Sequence, residues 1–147
     1  MQAESGDLIR FVRAQEVGAA YESALQELRA GRKETHWMWF VFPQLQGLGR
    51  SATARHYAIA DLSEARAYAA HPVLGPRLRA CADALTGLPG RDPRAVLGAT
   101  DAQKLRSSMT LFTRAVPDEP VFRAVLDQYY GGVEDERTVG LLGEGDR

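Results

Sequence analysis

Two segments of the chain carry residue types that could recognise a small molecule, and the first spans residues 36–51. Trp37 and Trp39 are the only tryptophans of the chain, and an indole ring can stack on a flat ligand ring. Gln44 and Arg50 follow in the same segment and could orient such a ring and hold an anion. The segment therefore predicts one wall of a ligand pocket, although an aromatic run is more often simply the central core of a fold.

The second segment, residues 104–110, could supply the anion-binding side of that pocket. Lys104, Arg106 and Ser107 lie near the amino end of a predicted helix, where backbone N–H groups and the helix dipole favour negative charge. Together with an indole and an amide, these side chains would suit a nucleotide or a sugar phosphate. A solvated helix face with two serines is the more common explanation of such a pattern.

Catalytic chemistry has one weak candidate, His36, which directly precedes the aromatic residues and could carry a proton. The three histidines lack the i, i+4 spacing of a helical metal site, and Cys81 is the only cysteine, so we expect no metal and no cofactor. Two function classes remain. We favour a non-catalytic binding or interaction domain, and the alternative is a small-molecule-binding protein or an enzyme.

Composition and charge limit the partners and the compartment. A net charge of −1, with basic residues scattered among acidic ones, argues against a nucleic-acid partner. No stretch reaches the roughly 20 apolar residues that a membrane span requires. A lone cysteine fits a reducing compartment. We therefore expect a soluble cytoplasmic protein, a monomer or weak homodimer, whose partner is an unknown small molecule or protein.

Helical periodicity predicts an all-α fold of six to eight helices in one domain, residues 1–147, with residues 1–6 and 143–147 frayed. The aromatic run is interpreted as a short buried helix at the centre, because a single strand without a partner could not satisfy its backbone. Cys81 lies on an apolar stripe and is expected to be buried and inert. The stripes are Val17, Tyr21, Leu25 and Leu28; Leu74, Leu78, Cys81, Leu85 and Leu88; and Leu105, Met109, Phe112 and Val116.

Capping signals predict where several helices begin. Asp7 is expected to cap the first helix. Asp61 with Glu64, and Thr100 with Gln103, have the spacing of capping boxes in front of two further helices.

Four motifs resemble a bacterial family of unknown function whose members are often labelled calpastatin. They are HWMWFVFPQLQGLGRS at 36–51, YAIADL at 57–62, HPVLG at 71–75 and LRSSMTLF at 105–112, and the chain looks like an actinobacterial member. The resemblance covers residues 8–142 and implies a compact helical domain without an established activity or catalytic residues. The order of a Trp-rich segment and a later basic-Ser-Ser-Met helix is also similar to ADP-ribose-related N-glycosidases, which implies N-glycosidase-like chemistry as one form of the enzyme alternative.

Overall fold

The computed structural model describes residues 3–145, with side chains described for residues 8–143. In this part of the chain, ten α-helices follow one another, and a parallel bridge between Leu45 and Ile59 is the only β-pairing. The all-α prediction is confirmed, with more helices than the six to eight expected. The helices are α1 (Ala3–Glu16), α2 (Ala20–Ala30), α3 (Met38–Val41), α4 (Ala52–His56), α5 (Leu62–Ala70), α6 (Leu74–Thr86), α7 (Pro93–Leu97), α8 (Ala99–Ala115), α9 (Pro120–Tyr130) and α10 (Glu136–Gly145).

Helix α8 lies at the centre of the packing. It contacts α5, α7, α9 and α10, while α6 packs against α2, α5 and α9. Leu105, Met109 and Phe112 of α8 are fully buried, as their helical spacing predicts. The Phe112 ring packs between the rings of Tyr68 and Phe122, with centroid distances of 5.4 and 5.7 Å. These apolar contacts hold α8 in place and fix the direction of its polar side chains.

The Trp-rich segment lies in the core as predicted and forms the single-turn helix α3. Trp37 is buried at its amino end. The carbonyl of Phe40 accepts hydrogen bonds from Gln15 Nε2 at 2.7 Å and from the Tyr68 hydroxyl at 3.2 Å. The carbonyl of Phe40 lies too close to the end of this short helix to have a helical partner, and these two side chains bond to it instead.

The corner between α1 and α2 differs from the predicted stripe. A 3-10 turn, Val17–Ala19, joins the two helices, and both Gly18 (φ +59°) and Ala19 (φ +57°) adopt the left-handed conformation. The reversal of the backbone turns Val17 away from the core, and this residue is 73% exposed. The prediction that Val17 belongs to the buried face of α2 is therefore wrong.

Two predicted caps are also wrong. Helix α1 already includes residue 3, so Asp7 lies inside it and not at its start. Helix α8 begins at Ala99 after Gly98, and Thr100 is therefore a helical residue and not the cap of a box with Gln103. Of the residues predicted to be frayed, 1, 2, 146 and 147 lie outside the described residues, and the backbone is helical at 3–6 and 143–145.

Helix α5 is capped at its start and closely packed against α6 at its end. Asp61 caps α5 by accepting a hydrogen bond from the Glu64 N–H at 2.9 Å, as the Asp-x-x-Glu spacing predicts. Gly75 lies in the first turn of α6, where an added Cβ would be 2.2 Å from the carbonyl oxygen of Ala69. Only glycine permits this approach of the two helices.

Within residues 3–145, no helix combines the length and the apolar content needed to cross a bilayer.

Candidate functional site

A cleft of about 360 Å³ opens between α8, the loop that follows α3, and the start of α10. Its volume lies within the range of small-molecule sites in proteins. We call it the basic cleft. Ten residues line it: Gln44, Leu48, Gly49, Thr100, Gln103, Lys104, Arg106, Ser107, Asp135 and Arg137.

Backbone pairing and close packing fix the loop that forms one wall of the basic cleft. The N–H of Gln46 donates to the carbonyl of Ile59, and the N–H of Ile59 donates to the carbonyl of Gln44, both at 2.8 Å. On the other side of the loop, Gly49 lies against α4, and an added Cβ there would be 2.5 Å from the Ala54 Cβ. The loop therefore presents Gln44 to the cleft from a supported backbone.

Helix α10 forms the opposite wall and is tied to α8 by side-chain bonds to its leading loop. The chain leaves α9 through Gly131 and Gly132, which have φ values of +61° and +78°. Arg106 of α8 then donates from Nε and Nη2 to the carbonyls of residues 133 and 134, at 2.9 and 3.2 Å. The Asp135 N–H donates to the Thr110 hydroxyl at 2.9 Å. These bonds position the start of α10 beside the cleft.

The basic cleft is positively charged although the whole chain is slightly acidic. Lys104, Arg106 and Arg137 contribute three cations and Asp135 one carboxylate, which gives a formal charge of +2 on a chain of net charge −1. Opposite charges attract several times more strongly beside a protein surface than in bulk water. The lining therefore favours an anionic ligand.

Lys104 is held at the edge of the cleft by two neighbours. Its ammonium lies 4.6 Å from the centre of the Trp39 ring, a cation–π distance, and 3.6 Å from Asp101 Oδ1. Asp101 also pairs with Lys33 at 3.0 Å, so its charge is shared between two lysines. Asp101 therefore neutralises Lys104 only in part, and the position of Lys104 is restrained.

The structure brings four of the predicted site residues together and separates the others. Gln44, Lys104, Arg106 and Ser107 all line the basic cleft. Arg50 lies outside it, in an adjoining cleft that shares Gly49 with it. Their roles in binding stay predictions, but their convergence is the geometry that a shared ligand requires.

The two tryptophans have different surroundings, and neither lines the basic cleft. Trp37 is 1% exposed, and its indole Nε1 donates to Glu27 Oε1 at 2.8 Å, so it belongs to the core. Trp39 is partly exposed, but the ammonium of Lys104 covers a face of its ring. Trp37 is therefore removed from the candidate ligand contacts, and Trp39 supports Lys104.

His36 is exposed and does not line the basic cleft, which contains neither histidine nor cysteine. Cys81 is buried in α6, and burial raises the pKa of its thiol to about 12. Among the described residues, no group of three or more His, Cys, Asp or Glu side chains is placed to hold a metal ion.

Comparison with known proteins assigns the family. Residues 5–142 match the family model described as "Protein of unknown function (DUF1810)". The chain belongs to the DUF1810 family. A solved structure, the conserved hypothetical protein Rv1873 from Mycobacterium tuberculosis, is 53% identical, with a TM-score of 0.90 over 93% of this chain and 96% of that one. No curated protein matches. Membership in a family of unknown function, expected from the motifs, is confirmed.

Four polar or charged residues that line the basic cleft of this DUF1810 chain were not among the predicted site residues, and only two of them had a signal in the sequence. Thr100 and Gln103 precede Ser107 by seven and four residues, so a helical polar stripe could have identified them. Asp135, which directly precedes α10, and Arg137, in its first turn, come some 30 residues later along the chain, and no local pattern connects them to α8.

Proposed function

We propose that the chain is a binding protein for a small phosphate-bearing molecule, such as a nucleotide or a sugar phosphate, held in the basic cleft. The convergence of Lys104, Arg106 and Arg137 on one concave surface carries the proposal. Phosphate oxygens are recognised by cationic side chains through charge-assisted hydrogen bonds. The lining holds two more cations than carboxylates on a chain of net charge −1, and this local positive charge supports an anionic ligand.

Neutral polar side chains support the same ligand class. Gln44, Gln103 and Thr100 add donors and acceptors around the cations. Ser107 is 5% exposed, and its hydroxyl donates to the carbonyl of Gln103 at 3.2 Å, which leaves its oxygen able to accept from a ligand hydroxyl. Leu48 is the one large apolar residue of the lining, so the cleft suits the phosphate and its sugar better than a stacked base.

Binding without catalysis fits the lining better than an N-glycosidase-like reaction. Asp135 is the only carboxylate of the cleft, and its Oδ2 already accepts hydrogen bonds from the N–H and the hydroxyl of Thr138, at 3.0 and 2.6 Å. This bonding caps α10 and favours a structural role for the carboxylate. We therefore favour a binding domain over an enzyme.

A protein-interaction domain has less support. Only Ile9, Val17 and Val133 are exposed large hydrophobic residues among the described side chains, whereas partner sites usually present a contiguous apolar patch. The label calpastatin lends no weight either, because an inhibitor of that name is largely disordered and this chain packs a dense core. We expect the protein to act in the cytoplasm, as a monomer or a weak homodimer.

Calorimetric titration with inorganic phosphate, ribose 5-phosphate and AMP tests the proposal. Replacing Lys104 or Arg137 by glutamine should weaken binding about tenfold, since each removes one charge-assisted contact. Arg91→Gln is the matched control, because Arg91 is an exposed arginine between α6 and α7 that lies outside the basic cleft. Asp135→Asn should strengthen binding, because the amide keeps an oxygen for the cap but removes the repelling charge.

A thermal melt gives an independent readout. A ligand at a hundred times its dissociation constant should stabilise the protein by about 2.7 kcal/mol, which raises the Tm by several degrees. If no phosphate compound binds, or if Lys104→Gln and Arg91→Gln behave alike, the basic cleft is not a phosphate site.

A further inference from the structure

A second cleft, of about 480 Å³, adjoins the basic cleft and also carries positive charge. It is lined by Gln46, Gly47, Gly49, Arg50, Arg55 and Ala58, and we call it the arginine cleft. Arg50 and Arg55 are both exposed, and its lining contains no acidic side chain. Its formal charge is therefore +2, equal to that of the basic cleft.

The two clefts are adjacent because of how the loop packs on α4. Gly49 belongs to both linings. Its backbone approaches Ala54 so closely that a Cβ would be 2.5 Å from the Ala54 Cβ. This contact brings Arg55, in the last turn of α4, beside the loop that carries Gln44 and Arg50. The side chains of one continuous surface thus supply both sets of cations.

A ligand with a single phosphate would use only part of this charge. Across the two clefts there are five cationic side chains and one carboxylate, Asp135. One phosphate group can neutralise the basic cleft, and the arginine cleft then remains without an anion. Because Gly49 lines both clefts, a second phosphate attached to the first at this border would face the side of Arg50 and Arg55, whose guanidinium groups match phosphate geometry.

We propose that the ligand carries two linked phosphate groups, one held in the basic cleft and the other in the arginine cleft. This inference rests on the proposed function and specifies its ligand as a diphosphate. Inorganic pyrophosphate and a nucleoside diphosphate share this chemistry. The difference between them lies in the group attached to the phosphates, which the titration below separates.

Calorimetric titration at constant ionic strength, without divalent cations, compares phosphate with pyrophosphate and AMP with ADP. The diphosphate of each pair should bind at least about tenfold more tightly to the native protein. In the Arg50→Gln/Arg55→Gln double variant, this advantage should be lost while the affinity for phosphate and AMP is unchanged. Lys104→Gln should weaken both members of each pair, and Arg91→Gln should weaken neither.

Equal affinities of the native protein for phosphate and pyrophosphate would overturn the inference and leave the proposed function standing. The same holds if the double variant loses phosphate binding as much as pyrophosphate binding, because Arg50 and Arg55 would then serve the first group. Failure of every phosphate compound to bind would overturn both proposals. If ADP binds more tightly than pyrophosphate, the ligand is a nucleoside diphosphate; equal affinities assign recognition to the phosphate chain alone.

Discussion

Glu27 of α2 holds the connection to α3 in place, and its charge should contribute measurably to stability. Its Oε1 accepts hydrogen bonds from the N–H of Glu34 at 2.8 Å, the N–H of Thr35 at 3.0 Å and the indole of Trp37 at 2.8 Å. Its Oε2 accepts the Thr35 hydroxyl at 2.6 Å. Glu27→Gln keeps the shape and the Oε1 acceptor but removes the charge. We expect this substitution to destabilise the protein at neutral pH.

The size of the effect follows from the pKa of Glu27. Burial raises this pKa, but the hydrogen bonds from Thr35, Glu34 and Trp37 outweigh burial and lower it from 4.5 to about 2. A lowering of this size corresponds to at most about 3 kcal/mol, and solvent screening of the partly exposed carboxylate reduces it to about 2 kcal/mol. Because the folded-state pKa is depressed, this stabilisation is complete above pH 4.5 and is lost as the pH falls toward 2.

Urea unfolding followed by tryptophan fluorescence measures the difference between the native protein and Glu27→Gln. The free energy of unfolding should differ by about 2 kcal/mol at pH 7, and by less than half of that at pH 3, where the unfolded carboxylate is protonated. Comparing the two proteins at each pH removes the contribution of the other carboxylates. A difference that is the same at pH 7 and pH 3 would refute the assignment of this stability to the charge of Glu27.

Glu27→Ala separates the charge from the hydrogen bonds. It leaves the buried indole N–H of Trp37 without its acceptor, so it should cost about 1–3 kcal/mol more than Glu27→Gln at pH 7. Equal stabilities of the two variants would show that water replaces the side-chain acceptor of the indole N–H without loss.

Two further predictions concern the helix pair α5 and α6. Gly75→Ala should lower the free energy of unfolding by about 1–3 kcal/mol, because the new Cβ would overlap the Ala69 carbonyl. Gly90→Ala is the control, because the space around Gly90 is open, and it should change the free energy of unfolding by less than about 0.5 kcal/mol. Thermal unfolding measures both. Cys81 should not react with Ellman's reagent at pH 8 in the native protein, because burial raises its pKa to about 12, and should react fully in urea. A fast native reaction would show that α6 opens readily.

Features that depend on neighbours in the sequence could be predicted well. The stripe through Leu105, Met109 and Phe112 repeats at steps of four and three, which places all three on one face of any helix. The Asp61 cap depends on an N–H only three residues away. In both cases the interacting groups are brought together by the helix itself, so the tertiary fold adds little information.

Features that depend on distant or unusual backbone contacts could not be predicted. Alanine rarely adopts a left-handed conformation, so nothing at Ala19 signals the corner that exposes Val17. Trp37 and Trp39 are two residues apart, and a helical turn points such side chains in different directions. Trp37 is the buried one, and its indole donates to Glu27 of α2, a contact between separate elements that no local pattern predicts.

The part of the basic cleft that follows the double-glycine turn at Gly131 and Gly132 is synthesised last. Asp135 and Arg137 follow this turn, so a ribosome has released all of α1–α9 before the complete lining exists. Until this turn and the start of α10 have emerged, the cleft lacks one of its walls. A single cut at the same turn would separate Arg137, a cation of the proposed binding surface, from every lining residue of α8.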